Sequence, residues 1–251
     1  MLKIRVMPTL LWRENALVKG VGFDSWRIVG SAMQAVKLFN MREVDELIFL
    51  DIGATRDASG PDFDLIDNLA DECFMPLTVG GGVRDVDDVR RLLQVGADKV
   101  ALNTMAVDSP LLIEKISRRF GVQCVVVSID FRRDETGAAT VWTRSATYDT
   151  GLDVVKWAQE AERRGAGEIL LASIERDGTL EGYDLETTRR VCEAVSIPVI
   201  ASGGAGKYED MAGALRAGAS ALAAGALWQF TQATPLGAKN FLATQGFAVR
   251  N

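Results

Sequence analysis

The sequence predicts a (βα)8 barrel of the α/β class, built from two repeated half-barrels and filling residues 1–251 as one domain. Three observations carry that prediction. Eight apolar runs alternate with helical stretches, and the runs are continuous rather than in/out alternating, as parallel strands covered on both faces require. The chain also repeats itself. Pro76-Leu-Thr-Val-Gly-Gly-Gly82 and the later Val100-Ala-Leu-Asn-Thr104 return as Pro198-Val-Ile-Ala-Ser-Gly-Gly204 and Ala221-Leu-Ala-Ala-Gly-Ala226, with the prolines 122 positions apart (198 − 76). The same offset maps Gly81 to Gly203, Gly96 to Gly218, Asn103 to Gly225 and Glu46 to Glu168. Such a repeat favours paired half-barrels over an open doubly wound sheet.

Taken in order, Ile4 to Leu10 reads as the first strand, and residues 11–30, polar and punctuated by glycine, as a long functional loop. Ala32 to Val44 has helical periodicity. The run Glu46 to Ile52 is the second strand, ending in Asp51, and Asp62 to Cys73 is a helix whose acidic first turn suits the helix dipole. The third strand ends at Gly80 to Gly82, before a helix from Asp85 to Val95; Lys99 to Thr104 is the fourth, before a helix from Asp108 to Phe120. Cys124 to Asp130 is the fifth, followed by a hairpin excursion from Arg132 to Tyr148 and a helix from Leu152 to Arg164. The sixth strand is Glu168 to Ile174, the seventh Pro198 to Ser202 and the eighth Ala221 to Ala226, separated by helices from Leu185 to Val195 and from Tyr208 to Ala217. A short helix closes the chain.

Composition narrows the chemistry. A balance of 28 basic against 34 acidic residues argues against nucleic acid and anionic membrane surfaces as partners. No apolar run is long enough to span a bilayer and no signal segment is evident, which predicts a cytoplasmic protein. Cys73, Cys124 and Cys192 are scattered and odd in number, as expected of buried thiols in a reduced compartment. Histidine is absent, which removes the Ser-His-Asp and Cys-His devices and the commonest metal ligand. Neither metal nor cofactor is expected, and proton transfer falls to carboxylates, lysine, tyrosine or water.

Working groups of such barrels gather at the C-terminal strand ends. Here those ends supply Leu10, Leu11, Asp51, Gly80, Gly81, Gly82, Asn103, Thr104, Asp130, Asp177, Gly203, Gly204, Gly225 and Ala226. Glycines there let backbone N–H groups approach an anion, and two copies in equivalent halves predict a pair of phosphate sites spanned by one elongated bisphosphate. Asp51, Asp130 and Asp177 are rim carboxylates suited either to acid/base work or to capping turns. At the opposite ends, Arg5, Glu46, Lys99 and Glu168 begin otherwise apolar strands and predict a charged ring closing the barrel bottom.

Pro8, Val18-Lys19-Gly20, Phe49 to Ile52, Val79 to Gly82, Gly96 to Val100, Asn103-Thr104, Ser128-Ile-Asp130, Gly165 to Glu168, Arg176 to Thr179 and Ala201 to Gly206 together resemble the cyclase subunit of imidazole glycerol phosphate synthase. The resemblance runs the whole length of the chain. It implies a heterodimer with a glutaminase whose ammonia enters through the charged ring as a gate. That ammonia would meet a bisphosphorylated ribulosyl-formimino aminoimidazole carboxamide ribotide, giving imidazole glycerol phosphate and an aminoimidazole carboxamide ribotide. It further implies Asp130 as the acid/base residue, and Lys19, the glycine sets and Ser145 among the substrate-binding residues. The family's second catalytic aspartate falls on Leu11, and Pro8-Thr-Leu-Leu-Trp12 resembles a divergent branch associated with amidation of surface-polysaccharide sugars. Two other readings follow: a barrel that activates the glutaminase and conducts ammonia to such a sugar, and a two-phosphate aminoaldose–ketose isomerase.

Overall fold

The computed structural model describes residues 3–250. Eight parallel strands form the barrel: β1 (Arg5–Arg13), β2 (Leu47–Asp51), β3 (Leu77–Gly80), β4 (Lys99–Leu102), β5 (Val125–Arg133), β6 (Glu168–Ser173), β7 (Val199–Ser202) and β8 (Ala221–Ala224). Each pairs with the next, and β8 returns to β1 with Ala221 opposite Arg5 and Ala224 opposite Pro8, so the eight strands close on themselves. This is the predicted (βα)8, or TIM, barrel; the open sheet is excluded. Inward side chains (Met7, Ile48, Ala101, Val126, Leu170, Ile200, Ala223) make a narrow inner core, while outward ones such as Val6, Phe49 and Val79 join the larger core under the helices. Both strand faces are buried, which is why the runs show no alternation.

The 122-residue offset is a structural repeat. Asp62 and Asp184 each cap a helix, accepting from the N–H three residues on (Leu65 and Thr187). Asp88 accepts from the N–H of Arg84, and its equivalent Asp210 from that of Gly206. Gly96 and Gly218 turn the chain with φ of 104° and 105°.

The structure departs from expectation at residues 11–30, which are not a loop. Strand β1 continues to Arg13, and strands Ala16–Val21 and Asp24–Gly30 fold back antiparallel to it. Two-residue turns join them, with Glu14-Asn15 (φ 50° and 62°) and Gly22-Phe23 (φ 63° and 61°) left-handed throughout, the geometry that matches strand twist. Neither pair is the Asn-Gly or Asp-Gly that would betray such a turn. The excursion after β5 is a hairpin as expected, Ala139–Thr143 against β5, but a further strand, Tyr148–Asp153, delays the next helix to Val154–Arg163. The helix begun at Ala32 stops at Met41, and after Asn103 the chain enters a short helix, Thr104–Asp108, rather than extending β4. The three cysteines are half-buried rather than fully buried, and all are free thiols. Among the described residues no helix is long and apolar enough to cross a membrane.

Below the barrel, Ile4 bridges to Val249, its N–H donating to the Ala248 carbonyl at 2.7 Å. Buried Asp45 accepts from the Val6 N–H at 2.8 Å and pairs with Lys239 at 3.3 Å, tying the C-terminal helix Pro235–Thr244 to β1.

Candidate active site

At the C-terminal ends of the strands the barrel opens into a cavity of about 1200 Å³. Its wall brings together Lys19, Asp51, Gly81, Gly82, Asn103, Thr104, Asp130, Ser145, Asp177, Gly203, Gly204, Gly225 and Ala226. Every rim position singled out from the sequence faces this one space except Gly80 and Leu10, the latter packing instead into the core under the helices. The hairpin 16–30 adds Phe23 and Trp26, and the barrel interior adds Thr9 and Leu11, none of which were placed there from the sequence as binding residues. Phe23 and Trp26 were hidden with the hairpin itself, whereas Thr9 belongs to the expected first strand and Leu11 is the position on which the family's second catalytic aspartate falls.

The two glycine pairs sit at matching points of the halves. Gly81 (φ 109°) and Gly82 (φ 69°) follow β3; Gly203 (φ 88°) and Gly204 (φ 106°) follow β7. A Cβ on Gly82 would lie 2.7 Å from the backbone of Gly60, and one on Gly204 would collide with the carbonyl of Gly182, the repeat equivalent of Gly60. At both places the backbone geometry itself requires glycine. Gly204→Ala is expected to cost roughly 1–3 kcal/mol from forced left-handed strain and contact, measurable by denaturant unfolding.

Asn103 and Gly225 cap the short helices Thr104–Asp108 and Ala226–Phe230 with nearly the same backbone angles. The Asn103 amide donates to the carbonyls of Ser128 and Trp142 at 3.2 and 3.3 Å. Residues 144–146 are three consecutive left-handed positions that fold over this cap, and the Ser145 hydroxyl donates to the Ile52 carbonyl at 2.7 Å.

The three rim carboxylates differ. Asp51 spends one oxygen accepting from the N–H groups of Gly53 and Ala54 at 2.9 and 3.0 Å; burial nonetheless keeps it above its ordinary value. Asp130 accepts one bond, from the Ser128 hydroxyl at 3.2 Å. Burial, with the nearby Asp177 charge, pushes it up to about 7 against the opposing Ser128 bond. Asp177 is raised by burial to about 6, moderated by the Lys19 charge, and its carboxylate has no hydrogen-bond or ion-pair partner among the described residues. Lys19 is only 5 % exposed, and its ammonium donates to the Thr9 carbonyl at 2.8 Å. Burial brings it down to about 8, less than it would without Asp177.

At the other end of the barrel the predicted ring exists. Arg5 Nη1 donates to Glu46 and Glu168, both at 2.9 Å, and Lys99 Nζ to Glu46 at 2.9 Å and Glu168 at 3.2 Å. Two cations and two carboxylates alternate around the axis, and burial leaves Glu46 5 % exposed.

Residues 5–233 match the family described as histidine biosynthesis protein. The chain belongs to that family. It is 47 % identical over 252 residues to the imidazole glycerol phosphate synthase subunit HisF of Caulobacter vibrioides, covering 100 % of this chain and 97 % of the relative. The HisF subunit of Corynebacterium diphtheriae is 43 % identical over 254 residues, covering 99 % of this chain and 98 % of the relative. Both names describe a subunit, hence a member of a complex. Neither supports the sugar-amidation or isomerase reading.

Proposed function

We propose that this protein is the cyclase subunit of an imidazole glycerol phosphate synthase, acting in histidine biosynthesis. The observation that carries this is full-length similarity to two HisF subunits combined with one cavity holding paired glycine cradles and Asp130. In this reading Gly81-Gly82 and Gly203-Gly204 hold the two phosphates of a ribulosyl-formimino aminoimidazole carboxamide ribotide, assisted by Asn103, Thr104, Ser145, Gly225 and Ala226. Asp51 shapes the rim through its turn. Asp130 takes and returns the protons of ring closure and cleavage. Ammonia reaches it from a HisH-type glutaminase docked below the ring of Arg5, Glu46, Lys99 and Glu168, all in the cytoplasm and without metal or cofactor.

The test is turnover of that precursor with ammonium salt, followed as release of imidazole glycerol phosphate and the carboxamide ribotide. Absence of product with folded protein removes the reading. The pH profile has a definite sign. A carboxyl raised to about 7 is protonated below that pH, so the base form is lost on acidification. The rate is expected to climb through about pH 7, whereas an unperturbed aspartate would give a limb near the ordinary carboxylate range. Coupling to a glutaminase is a separate measurement: glutamine hydrolysis should change when the barrel is added.

A further inference from the structure

We propose that Lys19, besides binding substrate, is the proton donor on the β1 side of the cavity, acting opposite Asp130. The proposal rests on the cyclase reading and goes beyond it. Its starting point is a broken symmetry. Leu11 pairs with Leu50 and Asp130 with Ala172, while Thr9 pairs with Ile48 and Ser128 with Leu170. Positions 50 and 172, like 48 and 170, are separated by the 122-residue repeat (172 − 50; 170 − 48). Leu11 therefore stands where Asp130 stands in the other half, and Thr9 where Ser128 stands. Ser128 uses its hydroxyl to hold Asp130. The buried Thr9 hydroxyl has no hydrogen-bond partner among the described residues, and the side chain above it is apolar. An orphaned buried polar atom of this kind carries a cost and marks a half-site lacking its ionisable group.

The group that reaches this half-site is Lys19. Its ammonium is bound to the carbonyl of the same Thr9, two residues before Leu11 on the inward face of β1. Room for it comes from Gly225, since a Cβ there would collide with Nζ. Lys19 is the one cation among the residues lining the cavity. The titratable groups sharing that space are Asp177 after β6, Asp130 on β5 and Asp51 on β2. On its own hairpin Arg27 is paired with Lys19 in register, but it turns outward to stack on Phe230 at 4.0 Å. Burial and Asp177 set the ammonium near 8, where donation at neutral pH is effective.

In the step assigned to it, ammonia has added to the ketone carbon of the ribulosyl chain. The Lys19 ammonium gives a proton to the resulting hydroxyl, which leaves as water with the C–O bond electrons. The nitrogen lone pair forms the C=N bond, and Asp130 takes a proton from that nitrogen. Lys19 is reprotonated from solvent as Asp130 releases its proton, so the net change is carbonyl plus ammonia to imine plus water.

The experiment is steady-state turnover of the imidazole precursor at saturating ammonium across pH, for the wild type, Lys19→Arg, Lys19→Met, Leu11→Asp and the Leu11→Asp/Lys19→Met double variant, with thermal melting as a control for folding. Arginine keeps the charge but does not release its proton. Lys19→Arg is therefore expected to hold KM within a few-fold while kcat falls by about 10²-fold or more, with the wild-type fall in rate above about pH 8 lost. Adding Leu11→Asp to Lys19→Met should recover at least about tenfold in kcat, because the Thr9 hydroxyl would hold the new carboxyl as Ser128 holds Asp130. Near wild-type kcat and an unmoved alkaline limb in Lys19→Arg would reduce Lys19 to a phosphate clamp and overturn the proposal. So would a Lys19→Met defect confined to KM. A wild type inert with ammonium would instead remove the cyclase reading, and the proposal with it.

Discussion

Asp130→Asn is expected to lower kcat for ammonium-dependent turnover by about 10²- to 10⁴-fold, with KM changed little. Asparagine matches the shape of the carboxyl and can still accept from the Ser128 hydroxyl, so the cavity wall should keep its form. What it loses is the ability to take a proton. A second readout separates this from misfolding. A carboxyl raised to about 7 by burial charges at a cost to the folded state, and that cost is present above pH 7 and absent well below the ordinary carboxylate range. The variant should therefore be the more stable protein at pH 8 and differ little at pH 4. A less stable variant at pH 8, or one with full activity, would contradict the role given to Asp130.

Glu46→Ala is expected to be the most destabilising single change at the charged ring. It leaves Arg5 and Lys99 sharing Glu168 alone in a buried site, and removing one member of a buried ion pair typically costs about 3–5 kcal/mol. Denaturant unfolding at neutral pH reads this directly. Burial by itself would raise the Glu46 carboxyl, but Arg5 and Lys99 outweigh it and hold the group below its ordinary range. A depressed carboxyl contributes stability above its unfolded value and loses it as pH falls through the folded one. The gap between wild type and variant should accordingly be full at pH 7 and shrink on acidification below the ordinary glutamate range. A gap independent of pH would mean that lost packing, not charge, is responsible.

How far the sequence could be read depended on what kind of physics each feature uses. Strands buried on both faces leave long apolar runs, and a duplicated chain leaves a fixed offset, so the barrel and both glycine pairs were legible. The ring was legible for a related reason: charges such as Glu46 and Lys99 conflict with the runs they begin, and Glu46 has a repeat partner in Glu168. The hairpin at 16–30 was not legible. Its turns set Asn15 and Gly22, which adopt left-handed conformations readily, beside Glu14 and Phe23, which seldom do, so neither pair stands out as a hairpin turn. With the hairpin hidden, the place of Phe23 and Trp26 on the cavity wall was hidden as well. Asp51 could be read as cap or catalyst from the sequence; only the bonds from Gly53 and Ala54 commit one of its oxygens to the turn.

The bridge between Ile4 and Val249 has a practical consequence for engineering. Residues near the two described ends lie side by side under β1, so a short linker would join them with little change in loop entropy. The barrel could then be reopened at the exposed turn around Gly137, beyond β5, giving a circularly permuted chain that starts in one half and finishes there after traversing the other.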